Sequence, residues 1–143
     1  VIIGEGEAKN ELIELSRTLN VIDRTLFLDY LPTPYNYLSL FDVYAMCSRS
    51  EGFGLAAVEA TLMQTPVVCS NISIFKEIFD DTKVSFFELD NISSLLESIN
   101  IAISTIGKLK AKVALNYSLN NFSGYKMASN YLDIYSNLLN GKI

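Results

Sequence analysis

The sequence predicts an α/β fold, a parallel β-sheet with helices on both faces that ends in a run of helices. Three observations predict it. Short apolar runs alternate with amphipathic helical stretches along most of the chain, as strand, crossover helix and next parallel strand require. The runs are apolar on both sides instead of alternating, the pattern of strands covered on both faces. Beyond Phe87 no further strand-like run occurs, and three helical stretches follow one another.

Taken in order, strands are expected at Val1–Ile3, Thr25–Leu28, Asp42–Met46, Pro66–Cys69 and Val84–Phe87. Helices are expected near Ala8–Leu19, Tyr35–Leu40, Leu55–Met63 and Ile74–Phe79. They are followed by Asn91–Thr105, Lys108–Asn120 and Ser123–Leu139, with breaks at Gly107 and around Asn120–Ser123. In the last helix Tyr125, Ala128, Leu132, Tyr135 and Leu139 recur at three-four spacing and form one stripe. That stripe packs either on its own domain or on another one.

A chain of 143 residues suits a single domain, and 50% hydrophobic with 19% charged residues excludes disorder. No histidine is present, which removes imidazole acid/base chemistry and histidine metal sites from these residues. The net charge of −5, from 11 basic and 16 acidic residues without a basic cluster, argues against a nucleic-acid groove. Cys47 and Cys69 each close an apolar run and read as small buried thiols in a reducing, cytoplasmic setting. No apolar run approaches the length of a transmembrane helix. The chain opens inside a strand-like run with no methionine, so a piece of a longer protein is expected.

The segment Ser48–Ala60 carries the chemistry. It leaves a strand, turns through Gly52 and Gly54 and enters a helix, the place where open parallel sheets bind ligands. Glycines allow close approach of the backbone, and the helix N-terminus favours an anion such as phosphate. At about 100° per residue, Glu59 falls on the side of Leu55, Val58 and Leu62, opposite Ala57, Ala60, Thr61 and Gln64. An inward carboxylate needs donors. Vicinal sugar hydroxyls would supply two; a lysine or arginine of the same domain is the alternative. Glu51 stands near the same anion site, held toward ligand hydroxyls or a developing positive charge, or else serves as a solvated loop or capping acid.

These residues resemble the donor-site signature of family-4 retaining glycosyltransferases, which have the GT-B fold. The resemblance rests on Glu51 and Glu59 at E-x7-E spacing around Gly52-Phe53-Gly54-Leu55, with Thr65-Pro66-Val67-Val68 following. It extends to Val1-Ile2-Ile3-Gly4-Glu5-Gly6, Leu40-Phe41-Asp42-Val43, Glu77-Ile78, Phe122-Ser123 and Tyr131-Leu132-Asp133-Ile134-Tyr135. Asp29, and a segment Val84–Glu88 without glycine, depart from the family pattern.

The resemblance implies a Rossmann-like, nucleotide-sugar-binding C-terminal half, one domain over residues 1–143. It also implies that this stretch lacks the half's first strand-helix unit, with its basic diphosphate contacts, and the N-terminal acceptor domain. Glu59 would bind the ribose hydroxyls and Glu51 the donor sugar, as the catalytic residue. Amides around Phe53, Gly54 and Leu55 would hold the sugar and distal phosphate. Gly4 and Gly6 would lie in the diphosphate loop, and Tyr30 and Leu31 would meet the nucleobase. No metal or cofactor beyond the donor is implied, and the whole enzyme would work in the cytoplasm, at the inner face of the membrane. A nucleotide-sugar epimerase or sugar phosphorylase of the same fold, and a non-catalytic binding module, are the competing functions.

Overall fold

A computed structural model describes residues 1–141, in two compact units that divide after Asn36. In the first, β1 (Ile2–Ile3) and β2 (Phe27–Leu28) pair in parallel, Ile2 opposite Phe27 and Ile3 opposite Leu28. The crossover is α1 (Lys9–Thr18), followed by a 3-10 turn at Ile22–Arg24 that the apolar pattern does not reveal. Its start is closed by local bonding, the Val21 amide donating to the Ser16 carbonyl at 2.9 Å. An ion pair between Lys9 and Asp29 ties the start of α1 to the segment after β2. The short helix α2 (Tyr35–Leu38) spans that division.

The second unit is built on β3 (Tyr44–Met46), β4 (Val67–Ser70) and β5 (Ser85–Phe87), all parallel in the order β3-β4-β5. All four residues of the central strand β4 are buried, the polar Ser70 included, as a strand covered on both faces requires. Helices α3 (Leu55–Leu62), α4 (Ser73–Ile78), α5 (Ile92–Ile103), α6 (Thr105–Asn121) and α7 (Gly124–Leu139) complete it. One core cluster joins Ala57, Val58 and Ala60 of α3 to Val67, Cys69, Phe75, Ile78, Phe79 and Val84. A second joins Val68, Phe87 and Ala102, with Val43, Leu95 and Ile99 packed around them. Val68 and Cys69 are neighbours on β4 and belong to different clusters, so helices cover both faces of this sheet.

Two details correct the sequence reading, and a third decides between its alternatives. The break between α5 and α6 lies at Ser104, whose hydroxyl accepts from the Ile106 amide at 3.2 Å, and Gly107 is inside α6. A Cβ on Gly107 would lie 1.8 Å from the Ala102 carbonyl oxygen, so glycine lets the first turn of α6 approach the end of α5. Cys47, expected to be buried, is exposed just beyond β3, while Cys69 is 0% exposed within β4. Finally, α7 has no buried residue, and Tyr125, Leu132 and Leu139 are 85%, 66% and 88% exposed. Its apolar stripe is not covered by the described residues.

Candidate functional site

The site in the second unit forms where β3 ends and α3 begins. Gly54 is the N-cap of α3 at φ +84°, a conformation that favours glycine. A Cβ there would also sit 2.5 Å from Cε1 of Phe75, a fully buried ring. Gly54 is thus required on two grounds, whereas a Cβ on Gly52 would meet open space. No side chain among the described residues caps α3, and the Ala57 and Val58 amides both turn back to the Gly54 carbonyl, at 3.0 Å and 3.3 Å. The amides of Leu55 and Ala56 come before any intrahelical acceptor and lie at the positive end of the helix dipole.

Glu51 is half-buried and held. The Ser70 hydroxyl, at the carboxyl end of β4, donates to the Ser48 carbonyl at 2.5 Å. The Ser48 hydroxyl donates in turn to Oε1 of Glu51 at 2.7 Å. The carboxylate is therefore anchored through the loop to the central strand, with its other oxygen left to accept from a ligand. Phe53 stands edge-on to Phe122 at 5.6 Å between ring centroids, and Phe122 packs in the same way on Phe79 and Tyr117. The α6–α7 junction thereby braces the Gly52–Gly54 turn.

Glu59 is placed differently from the sequence expectation. The buried side of α3 is the small one, Ala57, Ala60 and Thr61 with Val58, and Leu55 is 68% exposed. The reason is close helix packing: α3 lies against α6, and Thr61 Oγ1 is 2.7 Å from Ser118 Oγ, both residues being fully buried. Side chains of leucine size would hold the helices apart. Glu59 therefore lies away from the tightest contact and is half-buried. Among the described residues its carboxylate has no hydrogen bond and no ion pair, so the salt-bridge alternative is not realised there.

Tyr44, Ser48 and Ser70 escape sequence reasoning. Tyr44 packs against the α3-side core cluster, and its hydroxyl donates to Sδ of Met46 at 3.8 Å, a weak acceptor. Burial first, then the charges of Cys69, Glu59, Glu51 and Cys47, push its pKa up to about 12, so the phenol remains a donor. The available signal was small polar residues at the carboxyl ends of β3 and β4, the edge where ligands bind. Asn71, just after β4, donates to Oε1 of Glu88 at 2.5 Å, and its own buried Oδ1 has no partner among the described residues.

In the first unit, Gly4 and Gly6 lie in the loop after β1, and Tyr30 and Leu31 follow β2, at the same edge of that two-stranded sheet. The Gly4 amide donates to the Leu28 carbonyl at 3.0 Å. Tyr30 is 69% exposed and Leu31 half-buried. No group of three or more Cys, Asp or Glu residues is placed to hold a metal ion among the described residues. No described helix is long and apolar enough to cross a membrane.

The sequence of residues 1–116 matches the family model "Glycosyl transferases group 1". The chain belongs to this glycosyltransferase family. It is 37% identical over 138 residues to the O-antigen biosynthesis glycosyltransferase WclY of Escherichia coli, covering 96% of this chain and 38% of that protein. It is 33% identical over 101 residues to the N-acetylgalactosamine-N,N'-diacetylbacillosaminyl-diphospho-undecaprenol 4-alpha-N-acetylgalactosaminyltransferase of Campylobacter jejuni, covering 69% of this chain and 28% of that enzyme. The chain thus spans well under half the length of these relatives. The structure of Anabaena HepE in complex with UDP and glucose superimposes with a TM-score of 0.84 at 21% identity, covering 94% of this chain and 39% of that one. This shared architecture is that of the C-terminal, Rossmann-like half of GT-B glycosyltransferases.

Proposed function

We propose that this chain is the donor-binding part of a retaining glycosyltransferase that moves a hexose from a nucleoside-diphosphate sugar to a glycan or lipid-linked acceptor in surface polysaccharide synthesis. The observation that carries the reading is the pair of half-buried glutamates around an uncapped helix N-terminus. Glu51 is aimed by Ser48, and Glu59 has no partner among the described residues. Both carboxylates accept hydrogen bonds, which a polyhydroxyl ligand supplies, while the Leu55 and Ala56 amides suit its phosphate.

In this reading Glu59 accepts from the ribose hydroxyls, Glu51 from the donor sugar, and the turn Gly52–Leu55 holds the sugar and distal phosphate. The helix N-terminus stabilises charge that develops on the departing diphosphate. Gly4 and Gly6 serve the diphosphate loop, and Tyr30 with Leu31 the base. Residues 1–143 form one nucleotide-sugar-binding domain that works with an N-terminal acceptor domain and a preceding strand-helix unit bearing the basic contacts. The uncovered stripe of α7 gives such a domain a surface to meet. The whole enzyme acts in the cytoplasm and meets its acceptor at the inner face of the membrane; support comes from the diphospho-undecaprenol in the name of the Campylobacter relative.

The test is a thermal-shift screen of the full-length protein against UDP-, GDP- and ADP-sugars, followed by transfer of the radiolabelled sugar of the stabilising donor to lipid-linked acceptors. A donor-specific rise in melting temperature with acceptor-dependent transfer is expected. Conversion of the nucleotide sugar without acceptor, or dependence on inorganic phosphate, would replace the reading by an epimerase or a phosphorylase.

A further inference from the structure

Two loops meet over the carboxyl edge of the β3-β4-β5 sheet. Arg49, two residues before Glu51, donates from Nη1 to Oδ2 of Asp90 at 2.9 Å and from Nη2 to Oδ1 at 2.5 Å. Arg49 follows β3 and Asp90 follows β5, so the pair joins the loops of the two outer strands, with β4 between them. A bidentate arginine-carboxylate pair fixes orientation as well as distance.

A second observation concerns the backbone. Asp90 has φ +59°, in the left-handed region that glycine occupies more readily. The adjacent helix start does not need its side chain, because Asn91 caps α5 by accepting from the Ser94 amide at 3.0 Å. The helix start therefore leaves the Asp90 carboxylate free for another use. Stability is a poor candidate for that use, since the side chains are 71% and 68% exposed and such pairs contribute little. The Arg49 hydrogen bonds hold the Asp90 carboxyl below the usual carboxylate range, so the pair stays charged at neutral pH.

We propose that Arg49 and Asp90 are positioning residues of the donor site: their pair clasps the loop that carries Glu51 against the turn after β5. Ser70 fastens the same loop through the Ser48 carbonyl, so it is held from two directions. The proposal rests on the donor-binding reading above. It adds that the geometry of Glu51 depends on a turn about forty residues away that carries no predicted donor contact of its own.

The test uses the full-length protein with Arg49→Ala, Asp90→Asn, Asp90→Gly and the exchanged pair Arg49→Asp with Asp90→Arg. Chymotrypsin cleavage after Phe53, measured without ligand, should quicken about fivefold in each single variant. The exchanged pair should return it to within about twofold of the parent. Asp90→Gly is the decisive variant, because glycine suits the backbone: it should keep the melting temperature while losing the protection. With UDP-glucose, GDP-mannose and ADP-glucose as donor probes, the KM of the accepted one should rise about three- to tenfold, with kcat within about twofold. Unchanged cleavage in Asp90→Gly, no recovery in the exchanged pair, or faster cleavage with an unchanged KM would each overturn the proposal. Failure of the donor-binding reading is a separate result, an unchanged donor KM in Glu59→Gln.

Discussion

Gly54→Ala tests the geometry of the site most sharply, because the structure gives two separable reasons for glycine. The first is the backbone: alanine at φ +84° loses about 1–2 kcal/mol relative to glycine. The second is space. The new methyl would lie 2.5 Å from Cε1 of Phe75, about 1 Å inside normal carbon-carbon contact. Phe75 is 0% exposed and cannot move freely, so overpacking adds about 1–3 kcal/mol. The sum is about 2–5 kcal/mol, to be read from the urea midpoint and slope of parent and variant. In a Phe75→Leu background the steric part should largely disappear, leaving Gly54→Ala at about 1–2 kcal/mol. A loss below about 0.5 kcal/mol in the parent, or an equal loss in both backgrounds, would show that the turn does not need glycine to clear Phe75.

Ser118→Ala should destabilise the protein by about 1 kcal/mol in urea unfolding without changing donor KM, since Thr61 keeps its bond to the Val58 carbonyl at 2.7 Å. Ellman's reagent at pH 8 should modify the exposed Cys47 first, though burial raises its pKa too, and Cys69 only on unfolding, because burial, with Cys47 nearby, pushes the Cys69 pKa up to about 12; a variant with Cys47→Ser should lose the earlier reaction. The Asp80 carboxyl is lowered to about 2, chiefly by its hydrogen bond from Lys83, then by Thr82. A carboxyl depressed below its unfolded value of about 3.9 stabilises the fold above that pH and loses the contribution as pH falls toward 2. The group is largely exposed, so Asp80→Asn should remove less than about 1 kcal/mol of acid-dependent stability, read from melting temperature between pH 5 and 2.

Much of the fold was legible in the sequence because burial on both faces leaves a plain mark. The apolar runs placed all five strands within a few residues, and the turn Gly52–Gly54 marked the edge where ligands bind. The misreadings share a cause. Hydrophobicity weights bulk, whereas close helix contacts select small side chains. Ala57, Ala60 and Thr61 looked like the outer side of α3 and are its buried side; Gly107 looked like a helix break and is a point of contact. Cys47 looked buried because it ends an apolar run, yet the strand ends at Met46 and the chain turns outward. Arg49 and Asp90 were invisible because a hydrogen bond between loops far apart in sequence has no periodicity to betray it, and Ser48 and Ser70 showed only as small polar residues at strand ends.

The central claim is that Glu51 and Glu59 bind a nucleotide sugar. The most direct measurement is the steady-state kinetics of Glu59→Gln in the full-length enzyme with its identified donor. Glutamine keeps the shape and loses the charge, so kcat/KM should fall about tenfold or more, equivalent to about 1.4 kcal/mol or above. An unchanged kcat/KM, with the variant as stable as the parent, would contradict it.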